Sequence, residues 1–500
     1  MPRRNPSVEP RQPSQERLYE ENFKELAGPM SPEEARIEAE RCLYCYDAPC
    51  IQACPTHIDV PKFIKQIASK DLRGSAKTIL EANAMGHSCA RVCPVEVLCE
   101  GACVFKEWQE KPIEIARLQR RAMDAYYAPG TKPLFAAGKA TGKRVAVVGA
   151  GPSGLSCAFY LRRLGHAVVL FERRDAPGGL NSFGVAEYKM TQATALQEAA
   201  HVLSLGPVLK TGVRVGPDIP ASRLASEFDA VFIGIGLGGT KSLRIPGEEL
   251  PGVLDALTFI EAVKNRDLSS LAPSSVTVVL GGGNTAIDAV TQSKRIGTPR
   301  VVLAYRRGRP EMPAYGFEVD LAKSDGAEFL WNASPVRVLG TSRVEGVEFQ
   351  RTRTQGGKLV VLDSETFTLP CDRVIKAIGQ DRHPSFAEEA GLAVEGLRIR
   401  VAPKTLRTSH PKFWAGGDAV NDGKEVVNAA ADGKRAAWSI HQAVTGAKRP
   451  APEHAYWVST IGPHPRGVRS RSGGLVINEA SNKTTHTPRR KHPPAEGALT

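Results

Sequence analysis

The sequence predicts an α/β protein in which a helical, cysteine-rich N-terminal domain precedes two Rossmann-like nucleotide-binding domains, the first interrupted by the second. Three observations predict it. Eight of the ten cysteines lie between Cys42 and Cys103. An apolar strand, a glycine-rich turn and a helix follow one another twice, starting at Val145 and at Val276. A third glycine turn, Gly416-Gly417-Asp418, comes long after both. The 500 residues allow about three domains at roughly 150 residues each.

Charge does not choose a function. A balance of +13 is compatible with nucleic acid, an anionic cofactor or a basic tail. No run of apolar residues is long enough to span a membrane, and the first thirty residues contain no apolar signal core. The expectation is a cytoplasmic chain with no membrane association. In a reducing compartment clustered thiols serve as metal or cofactor ligands more often than as disulfides.

Residues 1–30 are polar and aperiodic and read as an extended lead-in. Ser31-Pro32-Glu33-Glu34 reads as a helix start, with Ser31 as N-cap and Glu34 completing a capping box. Apolar residues at helical spacing over 60–84, among them Phe63, Ile64, Ile67, Ile79 and Leu80, make the cysteine region (31–135) mostly helix and loop. The strand–turn–helix grammar then assigns 136–238 and 382–446 to one nucleotide domain and 239–381 to the other. Residues 447–500, with the basic run Pro488-Arg-Arg-Lys-His-Pro, read as a disordered basic tail, and nucleic acid as an unlikely partner.

In the first glycine motif Gly149 permits the tight turn, Gly151 admits a pyrophosphate to the backbone, and Gly154 lets the helix pack on the strand. Glu172, 18 residues beyond Gly154, ends the next strand, where a carboxylate accepts hydrogen bonds from a ribose. The second motif, Gly281-Gly282-Gly283-Asn284-Thr285-Ala286, is followed at the equivalent strand end by Arg306 and Arg307. A guanidinium pair there would clamp a 2′-phosphate, which favours NADPH and leaves NADH open. Gly417 and Asp418, with a helix starting near Val426, fit close approach to a flavin. Gly234-Ile235-Gly236 and Ala377-Ile378-Gly379 fit the crossings between the two domains. Together these read as a flavin reductase core, FAD on the first fold and NADP or NAD on the second.

The thiols are spaced Cys42-x2-Cys45-x4-Cys50-x3-Cys54-Pro and Cys89-x3-Cys93-Pro-x4-Cys99-x3-Cys103. Both runs contain Cys-Pro, as ferredoxin-type cluster segments do. Zinc is the alternative, but only one Cys-x-x-Cys pair exists and a flavin downstream gives electrons a destination.

The strings Arg41-Cys-Leu-Tyr-Cys45-Tyr-Asp-Ala-Pro-Cys50-Ile-Gln-Ala-Cys54-Pro-Thr-His, Cys89-Ala-Arg-Val-Cys93-Pro and Ile113-Glu-Ile-Ala-Arg-Leu-Gln119-Arg resemble the N-terminal half of dihydropyrimidine dehydrogenase. The likeness runs from about residue 15 to 445 and is nearer still to the bacterial NAD(P)H-accepting subunit of that enzyme. The wider group includes the glutamate synthase small subunit, which usually has Glu at the position of Gln119. The resemblance implies two 4Fe–4S clusters, one on Cys42, Cys45, Cys50 and Cys103, the other on Cys54, Cys93, Cys99 and the Gln119 amide, with Cys89 spare. It places Val92, Gly149, Gly151, Pro152, Ser153, Gly154 and Leu155 at FAD. Glu172, Gly179, Leu180, Lys189 and Val215 join them, as do Gly417, Asp418, Val426 and Val427. For the nicotinamide nucleotide it implies Gly282, Gly283, Asn284, Thr285, Arg306 and Arg307, beside Ala377, Ile378 and Gly379 at the crossing. Where the family usually has Glu-Tyr-Arg-Leu-Pro, this chain reads Glu187-Tyr188-Lys189-Met190-Thr191, and Lys lacks the planar fork of Arg. The implied role is an electron-input subunit of a hetero-oligomer, feeding an FMN-containing partner that reduces uracil or thymine. The alternatives are a glutamate synthase small subunit and a zinc-bearing flavoprotein that binds nucleic acid through its tail.

Overall fold

The computed structural model describes residues 15–447 apart from 269, 270 and 272. From residue 448 on, the expected basic tail lies outside the described residues.

Ser31 opens the helix Pro32–Glu40 as its spacing predicts. Its hydroxyl accepts from the Glu34 amide at 3.2 Å, and the Glu34 carboxylate accepts from the Ser31 amide at 2.7 Å. Helices Val60–Ala68, Leu72–Ala82 and Ile115–Tyr127 each turn one apolar face inward. Phe63, Ile64, Ile79, Leu80 and Leu118 are wholly buried there. Shorter helices, Pro49–Ala53, Gly86–Val92 and Val104–Glu107, carry or flank the thiols.

The lead-in is not extended throughout, because Gln15–Asn22 is a helix. Tyr19 and Phe23, one turn apart, stack at 4.4 Å and are buried in the core of the second nucleotide domain. The Tyr19 hydroxyl donates to the Val263 carbonyl at 2.8 Å, and the Asn22 amide donates to the Arg295 carbonyl at 2.8 Å. A polar helix with two apolar residues gives no periodic signal; tertiary contact, not propensity, holds it. Just beyond it, Glu25 pairs with Arg91 and Arg120 of the helical domain. The segment thus straps the second nucleotide domain to the thiol-bearing one.

The strands in chain order are β1 (Arg144–Val148), β2 (Ala167–Phe171), β3 (Val208–Lys210), β4 (Ala230–Ile233), β5 (Val253–Asp255), β6 (Val276–Leu280), β7 (Arg300–Tyr305) and β8 (Glu328–Trp331). They continue with β9 (Ala333–Leu339), β10 (Gly346–Gln355), β11 (Lys358–Pro370), β12 (Arg373–Lys376), the two-residue strands β13 (Val394–Glu395) and β14 (Arg398–Ile399), and β15 (Phe413–Ala415). One parallel sheet has the order β15-β4-β1-β2-β3 and another β5-β12-β6-β7-β8. Because β15 pairs with β4 in register Phe413↔Val231, the first sheet takes strands from both sides of the second in the chain. Their central strands are mostly apolar because both faces are covered, the first sheet by helices on each side and the second by helices on one face only.

The antiparallel sheet β11-β10-β9 has no counterpart in the sequence reading. β10 reads Gly-Val-Glu-Phe-Gln-Arg-Thr-Arg-Thr-Gln, too polar to announce itself, yet Val347 and Phe349 pack with Val278 and Val374 of the second parallel sheet. The helical domain and the first parallel sheet share one core that includes Phe63, Leu118, Phe159 and Trp414. That shared core seats the thiols against the first nucleotide fold.

Candidate cofactor sites

Each parallel sheet places its glycine turn after a central strand, β1 between β4 and β2, and β6 between β12 and β7. The crevice at such a switch point is where α/β sheets bind nucleotides. At the first lies a cavity of about 730 Å³. Gly149, at φ +93°, turns the chain; a Cβ on Gly154 would lie 1.9 Å from the Gly149 carbonyl oxygen, so the helix Pro152–Arg163 reaches its seat only with glycine there.

Of the residues expected at FAD, Gly149, Gly151, Pro152, Ser153, Glu172 and Gly179 line this cavity. So do Val92, Leu180, Lys189, Val215, Gly417, Asp418 and Val426. Gly154, Leu155 and Val427 stand behind the wall, and Leu155 and Val427 belong to the shared core. The buried Glu172 carboxylate accepts from the amides of Ala150 at 2.8 Å and Arg174 at 2.9 Å, which fixes it at the end of β2. Each oxygen keeps a lone pair for a ribose hydroxyl. Burial pushes Asp418 up to about 6, against a hydrogen bond from the Lys424 amide.

Asn284, from the second motif, lines the same cavity, so the two folds face one another across it. Gly282 lies under the Tyr305 ring, which a Cβ would meet at 2.4 Å. Gly283, Thr285, Ala377, Ile378 and Gly379 lie outside the cavity lining, as do Arg306 and Arg307. Arg306 is exposed and Arg307 half-buried, and neither guanidinium is engaged in a hydrogen bond or ion pair among the described residues.

Lys189 reaches from the first nucleotide domain into the second. Its ammonium lies 2.7 Å from Asp288 and 2.7 Å from Glu318, both buried and both on the cavity wall. Burial alone would lower the Lys189 pKa, but Asp288 and Glu318 hold it above its ordinary value. Burial raises Glu318 to about 7, with Lys189 opposing the rise. Sequence reasoning missed Asp288 and Glu318, and no local motif could have found them, since they meet Lys189 only across the domain contact.

The thiols fall into two groups. Cys42, Cys45, Cys50 and Cys103 line one small cavity. Burial pushes Cys42 up to about 11, and Cys45 and Cys103 add to the rise. Cys50 is raised well above its ordinary value by burial and by Cys99, Cys42, Cys103 and Cys45. In the second group Cys93 is raised by a hydrogen bond with Cys89, by burial, and by Cys99 and Cys54. Burial and Cys54 likewise raise Cys99. Gln119 is buried on Ile115–Tyr127, its amide nitrogen donating to the Gly86 carbonyl at 2.7 Å. Among the described residues no group of three or more His, Cys, Asp or Glu is placed to hold a single metal ion. Buried and half-buried thiols that oppose one another's ionisation suit an iron–sulfur cluster, whose cationic irons offset the clustered thiolate charge.

Two facing nucleotide folds joined to a thiol-bearing helical domain define an electron-transfer flavoprotein oxidoreductase. Comparison with known proteins gives the family. Residues 143–433 match the pyridine nucleotide-disulphide oxidoreductase family, as do 121–198, and residues 19–131 match dihydropyrimidine dehydrogenase domain II, 4Fe-4S cluster. The chain belongs to this NAD(P)-dependent oxidoreductase family and carries its FAD, nicotinamide and 4Fe–4S modules. It is 34% identical over 445 residues to the glutamate synthase (NADPH) small chain of Halomonas elongata, covering 85% of this chain and 94% of the relative. It is also 34% identical over 418 residues to the NAD-dependent dihydropyrimidine dehydrogenase subunit PreT of Salmonella typhimurium, covering 83% of this chain and 96% of the relative. The fold is similar to that of Mycobacterium tuberculosis FprA in complex with NADPH, with a TM-score of 0.51 and 19% identity over 64% of this chain and 89% of that one. No described helix is long and apolar enough to cross a membrane.

Proposed function

We propose that this chain is an electron-input subunit that draws reducing equivalents from NADPH or NADH and delivers single electrons to an FMN-containing partner that reduces uracil or thymine. When bound, FAD accepts hydride and two 4Fe–4S clusters carry electrons one at a time. The observation that carries the reading is the juxtaposition of thiols and cavity: Val92 lines the cavity, and its neighbour Cys93 belongs to the second thiol group.

The residues divide the labour as follows. The amides at the start of Pro152–Arg163 face the pyrophosphate, and Glu172 holds a ribose. Arg306 and Arg307, unengaged among the described residues, take the 2′-phosphate of NADPH by charge-assisted bonds. Cys42, Cys45, Cys50 and Cys103 hold one cluster; Cys54, Cys93, Cys99 and Gln119 hold the other. With its nitrogen committed to Gly86, the Gln119 carbonyl oxygen is the atom left to bind iron. Cys89 stays outside both sets, hydrogen-bonded to Cys93. Cys157, wholly buried on the helix after Gly154, fills core space. The described residues are occupied by these modules, so pyrimidine reduction is assigned to the partner.

A second reading, with the large chain of a glutamate synthase as electron acceptor, is favoured by the equal identity to the Halomonas elongata small chain. Reconstitution separates them. The isolated chain should reduce an artificial dye with NAD(P)H and leave uracil untouched. Adding an FMN-bearing pyrimidine-reducing subunit should start uracil turnover, whereas restored glutamate formation with a glutamate synthase large chain would support the second reading. Rapid uracil consumption by the isolated chain would refute both.

A further inference from the structure

Thr56 is buried two residues beyond Cys54, and its hydroxyl oxygen lies 3.2 Å from the Cys54 sulfur. A ligating thiolate has no proton to give, so in the loaded protein the hydroxyl donates. The carbonyl of the same residue accepts from the Lys434 ammonium at 3.0 Å, and that ammonium also donates to the Ala82 carbonyl at 2.9 Å. Ala82 ends the helix Leu72–Ala82, so its carbonyl meets Lys434 as it would a cationic cap. Lys434 itself lies on Val426–Thr445, the helix whose first residue lines the flavin cavity. One short path therefore runs from the flavin domain, through an ammonium and a threonine, to a cluster-ligand sulfur.

We propose that Thr56 and Lys434 are positioning residues that set the reduction potential of the cluster held by Cys54, making it the better electron acceptor from the flavin. The inference rests on the assignment of Cys54 as a cluster ligand. A hydrogen bond to a ligand sulfur and a nearby positive charge both stabilise the reduced, more negative cluster, and so raise its potential. The Thr56 hydroxyl supplies the first effect. Lys434 supplies the second, and by gripping the Thr56 carbonyl it holds the hydroxyl against the sulfur. Neither residue lines the other thiol group's cavity, and the hydroxyl meets only the Cys54 sulfur among the thiols, so the larger effect falls on the cluster held by Cys54.

The test uses full-length protein loaded with FAD and iron. Potentiometric titration followed by electron paramagnetic resonance compares wild type with Thr56→Val, Thr56→Ser, Lys434→Met and Lys434→Arg, alongside iron, sulfide and FAD contents. Thr56→Val, which keeps the side-chain shape, should lower the potential of one cluster and leave the other in place. Thr56→Ser should restore it. Lys434→Met should lower the same cluster, and Lys434→Arg should hold it near the wild-type value. An iron-replete Thr56→Val protein with both potentials unchanged overturns the proposal, as does a rise in potential. Should Thr56→Val fail to load iron, the Lys434→Met titration decides by the same criterion. A wild-type protein without iron and sulfide would instead overturn the cluster assignment beneath it.

Discussion

Replacing Lys189 by Met removes one ammonium from between two buried carboxylates and leaves the rest of the cavity wall intact. Asp288 and Glu318 each lie 2.7 Å from that ammonium, and Asp288 also accepts from the Tyr188 hydroxyl at 2.9 Å. Breaking a buried ion pair by deleting one partner costs about 3–5 kcal/mol, which for domains of this size is a fall in Tm of roughly 6–20 °C. The loss depends on pH in a definite direction. Glu318 is raised to about 7 from an ordinary 4.5, so between those values the native state binds the proton that the unfolded chain releases. Stability from this group is complete below the lower value and falls as pH rises through the upper one. Without Lys189 the Glu318 pKa moves further up, because its counter-charge is gone. The Lys189→Met protein should therefore be moderately destabilised at pH 5.5, where Glu318 is protonated in both proteins, and more so at pH 8. Scanning calorimetry of the FAD-loaded proteins across that range measures it. An unchanged Tm, or an equal loss at both ends of the range, would refute the reasoning.

Anaerobically purified protein should hold about eight irons per chain with matching acid-labile sulfide; Cys42→Ser should lose about half of them, and stoichiometric zinc without sulfide would contradict the thiol assignment. Charge-assisted hydrogen bonds are worth about 1.5–3 kcal/mol, so Arg306→Ala should weaken NADPH binding about tenfold or more while NADH titrations barely change. Equal loss for both nucleotides would remove Arg306 from the 2′-phosphate site.

The two strand–turn–helix units were legible because a parallel strand buried on both faces is a near-continuous apolar run, as Val145–Val148 is throughout and Val276–Leu280 is apart from Thr277. Ser31 and Glu34 announced their helix through side chains that bond to their own backbone. What stayed hidden depends on contacts between distant segments. The helix Gln15–Asn22 is held by Tyr19 reaching Val263, 244 residues away. The strand β10 hides its inward Val347 and Phe349 among charged and polar neighbours. At the site, the glycine turns carry their chemistry in their own spacing. The grouping of Cys103 with Cys42 was implied only by resemblance, because the intervening helices decide which thiols share a cavity. The Lys189, Asp288 and Glu318 cluster joins three segments with no common motif, and Lys434 meets Thr56 across 378 residues.

The central claim is that electrons enter at the nicotinamide and reach the clusters by way of the flavin. Anaerobic stopped-flow mixing of the loaded chain with NADPH or NADH tests it directly, with flavin and iron–sulfur absorbance followed separately and the reaction repeated on protein stripped of FAD. The account predicts flavin bleaching first, iron–sulfur bleaching after it, and no cluster reduction in the stripped protein until FAD is restored. Clusters that bleach equally fast without FAD, or a flavin that reduces while the clusters never follow, would contradict it.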